Sequence, residues 1–248
     1  MAHDWGFIAP QDGRLPANAV GVAWYSGVVR RPNDLPARFT VEIQEASEFR
    51  VLPVRVTPVE GFSDVYLITP DGEPLKPGAT YRFTVDSVDE NAGLHKQILV
   101  TIDTEPLLAT TPLDLLVEPE STESIGVAAS LSCVANFLAS QVHVEAAIPQ
   151  TIQPWREHLL YRTVIDGERT WHPWRSACSL VPRGRTWESV GRDRIFAGCE
   201  HPPGFVEHNV WYDKGLDPGR HTVTLQAVLP GTGIILETPN RTVDLSCP

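Results

Sequence analysis

The sequence lacks the long apolar runs and the catalytic motifs that identify many membrane proteins and enzymes. No apolar run in its 248 residues approaches the ~20 residues that a membrane-spanning helix needs. There is no Gly-x-Ser-x-Gly nucleophile turn, no His-Glu-x-x-His zinc motif and no glycine-rich phosphate-binding loop. The chain has one methionine, and its first half has no cysteine. We therefore expect neither membrane insertion nor enzymatic activity.

Positive charge is also scarce. Lysine and arginine together number 20, against 31 aspartates and glutamates, so the net charge is −11. A surface that binds nucleic acid needs clustered lysine and arginine to neutralise the phosphates. This charge balance argues against nucleic acid as a partner.

A turn followed by a strand occurs twice, once in each half of the chain. Residues 75–78 read Leu-Lys-Pro-Gly, and residues 216–219 read Leu-Asp-Pro-Gly. Proline and glycine favour the turn, and the residues after each turn alternate between polar and apolar, as a half-buried strand requires. The length suits two β-sandwiches of ~100–130 residues each. We predict an all-β protein with two tandem sandwich domains.

The domain boundaries follow from composition. The first domain comprises residues 1–105, a proline-rich linker and entry strand follows at 106–123, and the second domain comprises 124–248. Three prolines stiffen the linker, which favours a preferred orientation of the two domains. The strands predicted for the first domain are Val20–Tyr25, Phe39–Ile43, Arg50–Val56, Asp64–Ile68, Tyr81–Val88 and Gln97–Ile102. Those predicted for the second are Ile125–Val134, Gln141–Ala147, Leu159–Ile165, Arg169–Trp174, Asn209–Tyr212, His221–Leu229, Ile234–Leu236 and Thr242–Leu245.

The order of turn motifs in the first domain is similar to that of a known family. Pro-Gln-Asp-Gly at 10–13 and Pro-Ala-Asn-Ala-Val-Gly-Val at 16–22 are followed by Leu-Lys-Pro-Gly-Ala-Thr-Tyr at 75–81 and Asp-Glu-Asn-Ala-Gly at 89–93. Residues 7–105 thereby resemble bacterial immunoglobulin-like domains of the SbsA type, found in surface and secreted proteins. The second half resembles an immunoglobulin-like or fibronectin-like sandwich through its Leu-x-Pro-Gly turn and the strand after it. The resemblance implies two immunoglobulin-like sandwiches.

A weaker similarity links the first domain to small copper-resistance proteins of the CopC type. These share a similar sandwich and bind copper through an N-terminal histidine and a late Asp-x-His motif. His3 matches the first position, whereas Asn91 stands where the motif that begins at Asp89 requires histidine, and His95 lies four residues further on. Imidazole is a good copper ligand. The similarity implies a possible copper site formed by His3, Asp89 and His95.

Two further metal sites are compatible with the residues present. Calcium prefers oxygen ligands, and three carboxylates occur close together in one turn, those of Asp86, Asp89 and Glu90. Zinc prefers nitrogen and sulfur, and a set of two imidazoles and two thiols is formed by His172, Cys178, Cys199 and His201. Their spacing matches no common zinc finger, and a disulfide accounts for the cysteines more simply.

All four cysteines lie in the second half, at Cys133, Cys178, Cys199 and Cys247. An even number in a proline-rich β-protein indicates two disulfides formed outside the cytosol, while four reduced thiols are the alternative. Of the three possible pairings we favour Cys178 with Cys199 and Cys133 with Cys247. No apolar signal sequence follows Met1. We interpret Met1 and Ala2 as residues that stand in place of a removed signal peptide, and a cytosolic protein is the alternative. We expect an extracellular, cell-surface or periplasmic location.

Residues 155–200 differ in composition from the rest of the chain. They hold four of the seven tryptophans and eight of the seventeen arginines, and their net charge is +2. Tryptophan and arginine dominate binding hot spots, and tryptophan also stacks on sugars and cations. The candidate ligand-binding residues are Trp171, Trp174, Arg175, Arg183, Arg185 and Trp187. In the alternative interpretation, some of these tryptophans fill the core and the arginines pair with nearby carboxylates.

The sequence thus favours a non-enzymatic binding or structural module outside the cell. Its second domain would contact a protein or a glycan through the Trp/Arg-rich loop, and its first domain would be a spacer or scaffold. The alternatives are a periplasmic copper-binding protein and an accessory domain of a secreted hydrolase. Residues 180–184, Leu-Val-Pro-Arg-Gly, resemble a thrombin recognition sequence, so we expect this loop to be exposed and to be cut after Arg183.

Overall fold

The computed structural model describes residues 5–10, 12–26, 35–86, 95–128, 134–171, 190–200 and 213–248. Within these residues nearly all regular structure is β, and the helical elements are two short 3-10 helices, Pro36–Arg38 and Gln153–His158. The prediction of an all-β protein is confirmed. We call Gln153–His158 the interface helix because it lies where the two halves meet.

In the described part of the first half, nine strands form two sheets. They are β1 (Trp5–Phe7), β2 (Asp12–Leu15), β3 (Val22–Ser26), β4 (Phe39–Glu45), β5 (Glu48–Leu52), β6 (Val54–Pro58), β7 (Val65–Pro70), β8 (Thr80–Asp86) and β9 (His95–Ile102). One sheet has the order β1-β3-β7-β6, and the other β2-β9-β8-β4-β5. The N-terminal segment therefore contributes to both sheets, because β1 pairs antiparallel with β3 and β2 pairs parallel with β9.

The described residues of the second half contain nine strands, which form two further sheets. They are β10 (Asp114–Val117), β11 (Ser121–Ala128), β12 (Val134–Ala147), β13 (Leu160–Ile165), β14 (Arg169–Thr170), β15 (Arg192–Gly198), β16 (Gly219–Leu229), β17 (Ile234–Glu237) and β18 (Arg241–Leu245). In the third sheet, β10 and β11 pair with successive parts of β12, and β15 pairs with the opposite edge of β12. In the fourth, the order is β14-β13-β16-β17, and β18 also pairs with β16. Each of the four sheets draws its described strands from one half only.

The repeated turn motif produces equivalent strands in the two halves. After the turn at Gly78, the buried residues of β8 are Tyr81, Phe83 and Val85, which alternate with partly exposed residues. After the turn at 216–219, β16 buries alternate residues from Val223 to Leu229 in the same way. Both strands are paired along both edges, β8 with β4 and β9, and β16 with β13 on one edge and with β17 and β18 on the other. The period of two therefore matches one core-facing side of a sheet.

Several expectations about the strands differ from the structure. Val134, predicted as the end of the strand Ile125–Val134, is the first residue of β12, which continues to Ala147 instead of starting at Gln141. The single strand expected at Arg50–Val56 is two strands, β5 and β6, because Pro53 lies between them and the chain passes there from one sheet to the other. The segment after Cys178 was expected to be a loop as far as Cys199, whereas β15 occupies Arg192–Gly198. The strand predicted at Asn209–Tyr212 lies outside the described residues.

The linker is attached to the first half at its beginning. The Asn18 side chain donates to the Leu107 carbonyl at 2.8 Å and accepts from the Leu107 amide at 3.0 Å. Leu107 is buried, whereas Leu108 is 58% exposed. Leu113 is buried again, and β10 follows at once. The exposed part of the connection between the halves is therefore short and comprises residues 108–112.

The two halves contact each other through the interface helix, which packs on β2. The Trp155 indole donates to Asp103 Oδ2 at 2.7 Å, while Arg14 donates to Asp103 Oδ1 through Nε at 2.8 Å and Nη2 at 2.5 Å. Beside this network the His158 ring lies directly against Gly13, where a Cβ atom would come within 2.4 Å of Nε2. We call this contact region, formed by Gly13, Arg14, Asp103, Trp155 and His158, the junction.

A second set of contacts between the halves lies outside the junction. The Arg162 guanidinium lies 5.8 Å from the centre of the Phe62 ring, within the range of a cation–π interaction. Gly231 approaches Leu67 and Val20 so closely that a Cβ atom would lie within 2.3 Å and 2.7 Å of their side-chain carbons. The buried apolar residues of the two halves form one continuous cluster.

Candidate functional site

Trp171 is the one predicted ligand-binding residue within the described part of the chain. It is 1% exposed, its indole donates to the Arg194 carbonyl at 2.9 Å, and its ring makes an edge contact with Phe196 at 5.4 Å between ring centres. Its amide also donates to the Thr163 carbonyl. The prediction is wrong for Trp171, because a side chain with these contacts belongs to the core and offers no surface to a ligand. The other five candidates, Trp174, Arg175, Arg183, Arg185 and Trp187, lie outside the described residues.

The residues on either side of this Trp/Arg segment, residues 172–189, are firmly held. On one side is buried Trp171. On the other, the Val190 carbonyl accepts from Arg156 Nη2 at 3.1 Å, and the Gly191 carbonyl accepts from the Ala146 amide at 2.8 Å. Trp171 is bonded to β13 of the fourth sheet, and Gly191 to β12 of the third. The segment therefore starts and ends on different sheets of the second half.

A buried carboxylate lies between the same two sheets. Asp193 on β15 is fully buried, and its Oδ2 accepts from the Thr163 hydroxyl on β13 at 2.9 Å. Its Oδ1 accepts from the Arg194 amide at 2.9 Å. A hydrogen-bonded buried carboxylate of this kind fixes the relative position of the two sheets. It therefore supports the residues to which the Trp/Arg segment is attached.

The observed disulfide differs from both bonds that we favoured. Cys199 is bonded to Cys247, with a Cα–Cα distance of 5.2 Å. The pairings Cys178 with Cys199 and Cys133 with Cys247 are therefore wrong, because each needs a cysteine that is already used. Cys133 and Cys178 lie outside the described residues, and if a second disulfide forms within the chain it must join these two.

The disulfide changes two other expectations. The predicted zinc set loses Cys199, because a disulfide sulfur is not a thiolate ligand. The other members, His172, Cys178 and His201, lie outside the described residues. In addition, the favoured Cys178–Cys199 bond would have held together the two pieces of a chain cut after Arg183. Both cysteines of the observed bond are C-terminal to Arg183, so this bond would not hold the pieces together.

The predicted copper and calcium ligands are only partly described. His95 is exposed at the start of β9, opposite Asp86 in the antiparallel register with β8. His3, Asp89 and Glu90 lie outside the described residues. Across the described ranges, no group of three or more histidine, cysteine, aspartate or glutamate side chains is arranged to hold a metal ion. Neither the copper nor the calcium prediction is tested by these residues.

A histidine–carboxylate cluster that the sequence did not indicate lies near the N-terminal end of β16. His221 Nδ1 is 2.9 Å from Asp166 Oδ2, and its Nε2 is 2.9 Å from the Asp217 carbonyl. Asp166 also accepts from the Thr222 amide at 2.8 Å and the Thr222 hydroxyl at 3.2 Å. Asp166 and Gly167 form the turn between β13 and β14, with positive φ angles of 54° and 76°. The Asp-Gly turn was visible in the sequence, whereas its histidine partner is 55 residues away.

The cluster favours the charged forms of both side chains. Partial burial lowers the pKa of His221, but the hydrogen bonds to Asp166 and to the Asp217 carbonyl outweigh it and raise the pKa above the ordinary value. The hydrogen bond from His221 is the largest cause that lowers the pKa of Asp166, followed by the one from the Thr222 amide. The cluster therefore attaches the turn between β13 and β14 to β16.

We expect replacement of His221 by glutamine to remove a pH-dependent part of the stability. Because the pKa of His221 is raised on folding, its contribution is fully present below the unfolded-state value of 6.5 and is lost as the pH rises through the folded-state value. The effect should be at most about 1 kcal/mol, since the pair is near the surface. Urea denaturation of wild type and His221→Gln at pH 5.5 and 8.5 measures it, with His95→Gln as control. A wild-type advantage that is equal at both pH values would contradict the prediction.

The described surface of the first half includes a shallow groove. It has a volume of about 250 Å³ and is lined by Val20, Arg55, Thr69, Pro70, Asp71, Gly72, Glu73 and Pro74. Its charged groups are already paired with one another or with neighbours. Arg55 is 2.5 Å from Asp71, and Glu73 is within 3.5 Å of Arg50 and Lys76. The groove therefore offers no unpaired charge for a substrate.

Among the described residues, no helix is long and apolar enough to cross a membrane. No protein-family model matches the chain, and no curated protein matches it in sequence.

Proposed function

We propose that this protein is a non-enzymatic binding module outside the cell, made of two tandem immunoglobulin-like sandwiches. Its contact surface would be the Trp/Arg segment of the second half, and the first half would position that surface as a scaffold. The single observation that carries the proposal is the attachment of residues 171 and 190–191. A segment rich in tryptophan and arginine begins at a buried, hydrogen-bonded anchor and ends at a hydrogen-bonded strand.

The composition of the segment indicates the chemistry of the partner. Residues 172–189 contain three arginines, one glutamate and two tryptophans, a net charge of +2, while the rest of the chain has a net charge of −13. Arginine forms bidentate hydrogen bonds with carboxylates and other oxyanions, and tryptophan stacks on sugar rings and cations. We infer an acidic partner, either a protein surface or an acidic glycan. The acidic remainder of the chain would repel such a partner elsewhere and so favour contact at this segment.

The disulfide and the junction support a rigid scaffold outside the cytosol. A disulfide persists in oxidising compartments, and Cys199–Cys247 joins the end of β15 to the chain end that follows β18. This bond fixes the strand that leads away from the segment. The contacts of Trp155 and Arg162 with the first half hold the second half in one orientation.

A binding screen with matched variants tests the proposal. The full chain is applied to an acidic-glycan array and to surface proteins, and each hit is measured again with the Arg183→Ala/Arg185→Ala double variant and with Trp174→Ala. We expect these variants to weaken binding at least tenfold, which corresponds to about 1.4 kcal/mol, and raised salt to weaken it further. Arg220→Ala is the control, because Arg220 is an exposed arginine of the same half on β16. Full binding by the segment variants, or a loss of the same size in the Arg220 variant, would refute this contact surface.

A further inference from the structure

His158 is a buried histidine at the junction of the two halves. It is 2% exposed, and neither ring nitrogen has a hydrogen-bond partner. A neutral imidazole has one N–H donor and one acceptor nitrogen, so both polar positions are unsatisfied here. Burial of an imidazole with two unsatisfied nitrogens lowers the stability of the protein. The structure of neither half by itself gives a reason for this location of His158.

The ring is enclosed by the backbone of the other half. Gly13 on β2 leaves room for the imidazole only because it has no side chain, since a Cβ atom would lie 2.4 Å from Nε2 and 2.8 Å from Cε1. Pro10 also lies beside Gly13, 3.1 Å from the position of such a Cβ atom. With 2% of His158 exposed, bulk solvent hardly reaches the ring.

The charged groups near the ring do not compensate a positive charge. On β2, Asp12 and Arg14 are exposed, on the opposite side of the strand from buried Gly13. Behind β2, Asp103 is bonded to Arg14 and Trp155. On the interface helix itself, Arg156 extends to the Val190 carbonyl, and Glu157 is exposed. Burial alone lowers the pKa of His158 from 6.5 to about 4, with no contribution from a charged neighbour.

We propose that the junction is an acid-sensitive hinge, in which protonation of His158 expels the interface helix from β2 and lets the two halves separate. The hinge is the exposed connection at residues 108–112. We expect each half to keep its β structure after separation, because each has its own two sheets and none of the described sheets is shared. At neutral pH the halves are held together by the Trp155–Asp103 hydrogen bond, the Arg162–Phe62 contact, the close approach of Gly231 to the first half and the apolar cluster that both halves share.

The direction of the effect follows from proton linkage. A proton binds His158 more tightly when the ring is exposed than when it is buried, so acid favours the open arrangement. The closed arrangement begins to weaken as the pH falls below 6.5. With the two values for His158, the ratio of closed to open molecules should fall on the order of 100-fold between neutral pH and pH 4.

Small-angle X-ray scattering of the full chain between pH 7.5 and pH 4 tests the hinge, with far-UV circular dichroism recorded on the same samples. We expect the radius of gyration of the wild type to rise below pH 6 while the β spectrum is retained. His158→Phe, which has a ring but cannot be protonated, should stay compact over the same range, and His95→Gln should behave as the wild type. A constant radius down to pH 4, or an equal expansion in His158→Phe, would overturn the proposal. So would loss of the β spectrum together with the expansion.

A second measurement does not depend on the phenylalanine variant folding. The titration of His158 can be followed in the wild type by the NMR shift of its Cε1–H group, assigned with His158→Gln. The hinge is supported if the midpoint of the His158 titration lies well below 6.5 and coincides with the pH at which the expansion starts. A midpoint at 6.5, the value of a solvent-exposed histidine, would show that the ring is not held at the junction and would overturn it.

Discussion

Replacement of Trp171 by alanine should lower the free energy of unfolding of the second half by about 3–5 kcal/mol, the usual cost of deleting a buried large aromatic side chain. The variant loses the edge contact with Phe196 and the hydrogen bond from the indole to the Arg194 carbonyl. It also leaves that carbonyl without this donor inside the protein, which adds to the cost. Urea denaturation followed by circular dichroism measures the change.

Trp171→Phe is the matched control for this experiment. It keeps an aromatic ring next to Phe196 but cannot donate to Arg194, so it should lose clearly less stability than the alanine variant. A loss below 1 kcal/mol in Trp171→Ala, combined with loss of partner binding, would restore Trp171 to the contact surface. The expected result instead separates the anchor, Trp171, from the proposed contact residues Trp174 and Trp187.

Removal of the Cys199–Cys247 bond is the second change with a large expected effect. The bond joins residues 48 apart in sequence, and the loop-closure entropy of a loop of that length corresponds to about 4 kcal/mol. The Cys199→Ala/Cys247→Ala double variant should therefore unfold at markedly lower urea concentration than the wild type. The stability of the first half should change least, because both cysteines lie in the second half.

Peptide mapping without reduction checks the same bond directly. The wild type should yield one peptide that contains Cys199 linked to Cys247, and the Cys133→Ala/Cys178→Ala double variant should still yield it. Recovery of Cys199 linked to Cys178 would contradict the structure. Unchanged stability in the Cys199→Ala/Cys247→Ala variant would contradict the predicted energetic role of the bond.

The strand pattern was largely accessible from the sequence. The alternation at Tyr81, Phe83 and Val85 and the turn at Gly78 are local features, and they locate β8 within one or two residues. The same holds for β16 after the turn at 216–219. A period of two requires only that one side of a strand face a core, which any sandwich provides. The local pattern misled where Pro53 divides one apolar run into two strands, where β12 starts at Val134 instead of Gln141, and where β15 was taken for part of a loop.

The candidate site was predicted less well because its elements are distant in sequence. The composition of residues 155–200 drew attention to the tryptophans, but composition does not show which indole is buried. Trp155 and Trp171 are buried by strands and carbonyls from other parts of the chain, Asp103 and Arg194 among them. The core alternative, considered from the sequence, is confirmed for these two tryptophans. For Trp174 and Trp187 the surface interpretation stays a prediction.

The sequence by itself determined that this chain is all-β, that its strands recur after equivalent turns in the two halves, and that its cysteines are confined to the second half. These properties depend on neighbouring residues and on residue counts, which are local information. The tertiary structure alone decided that Cys199 meets Cys247, that His221 reaches the Asp166 turn, and that His158 lies against Gly13. Each of these contacts joins residues at least 48 positions apart. These contacts depend on how the sheets pack against one another and on which distant segments become neighbours. No local sequence pattern encodes either property.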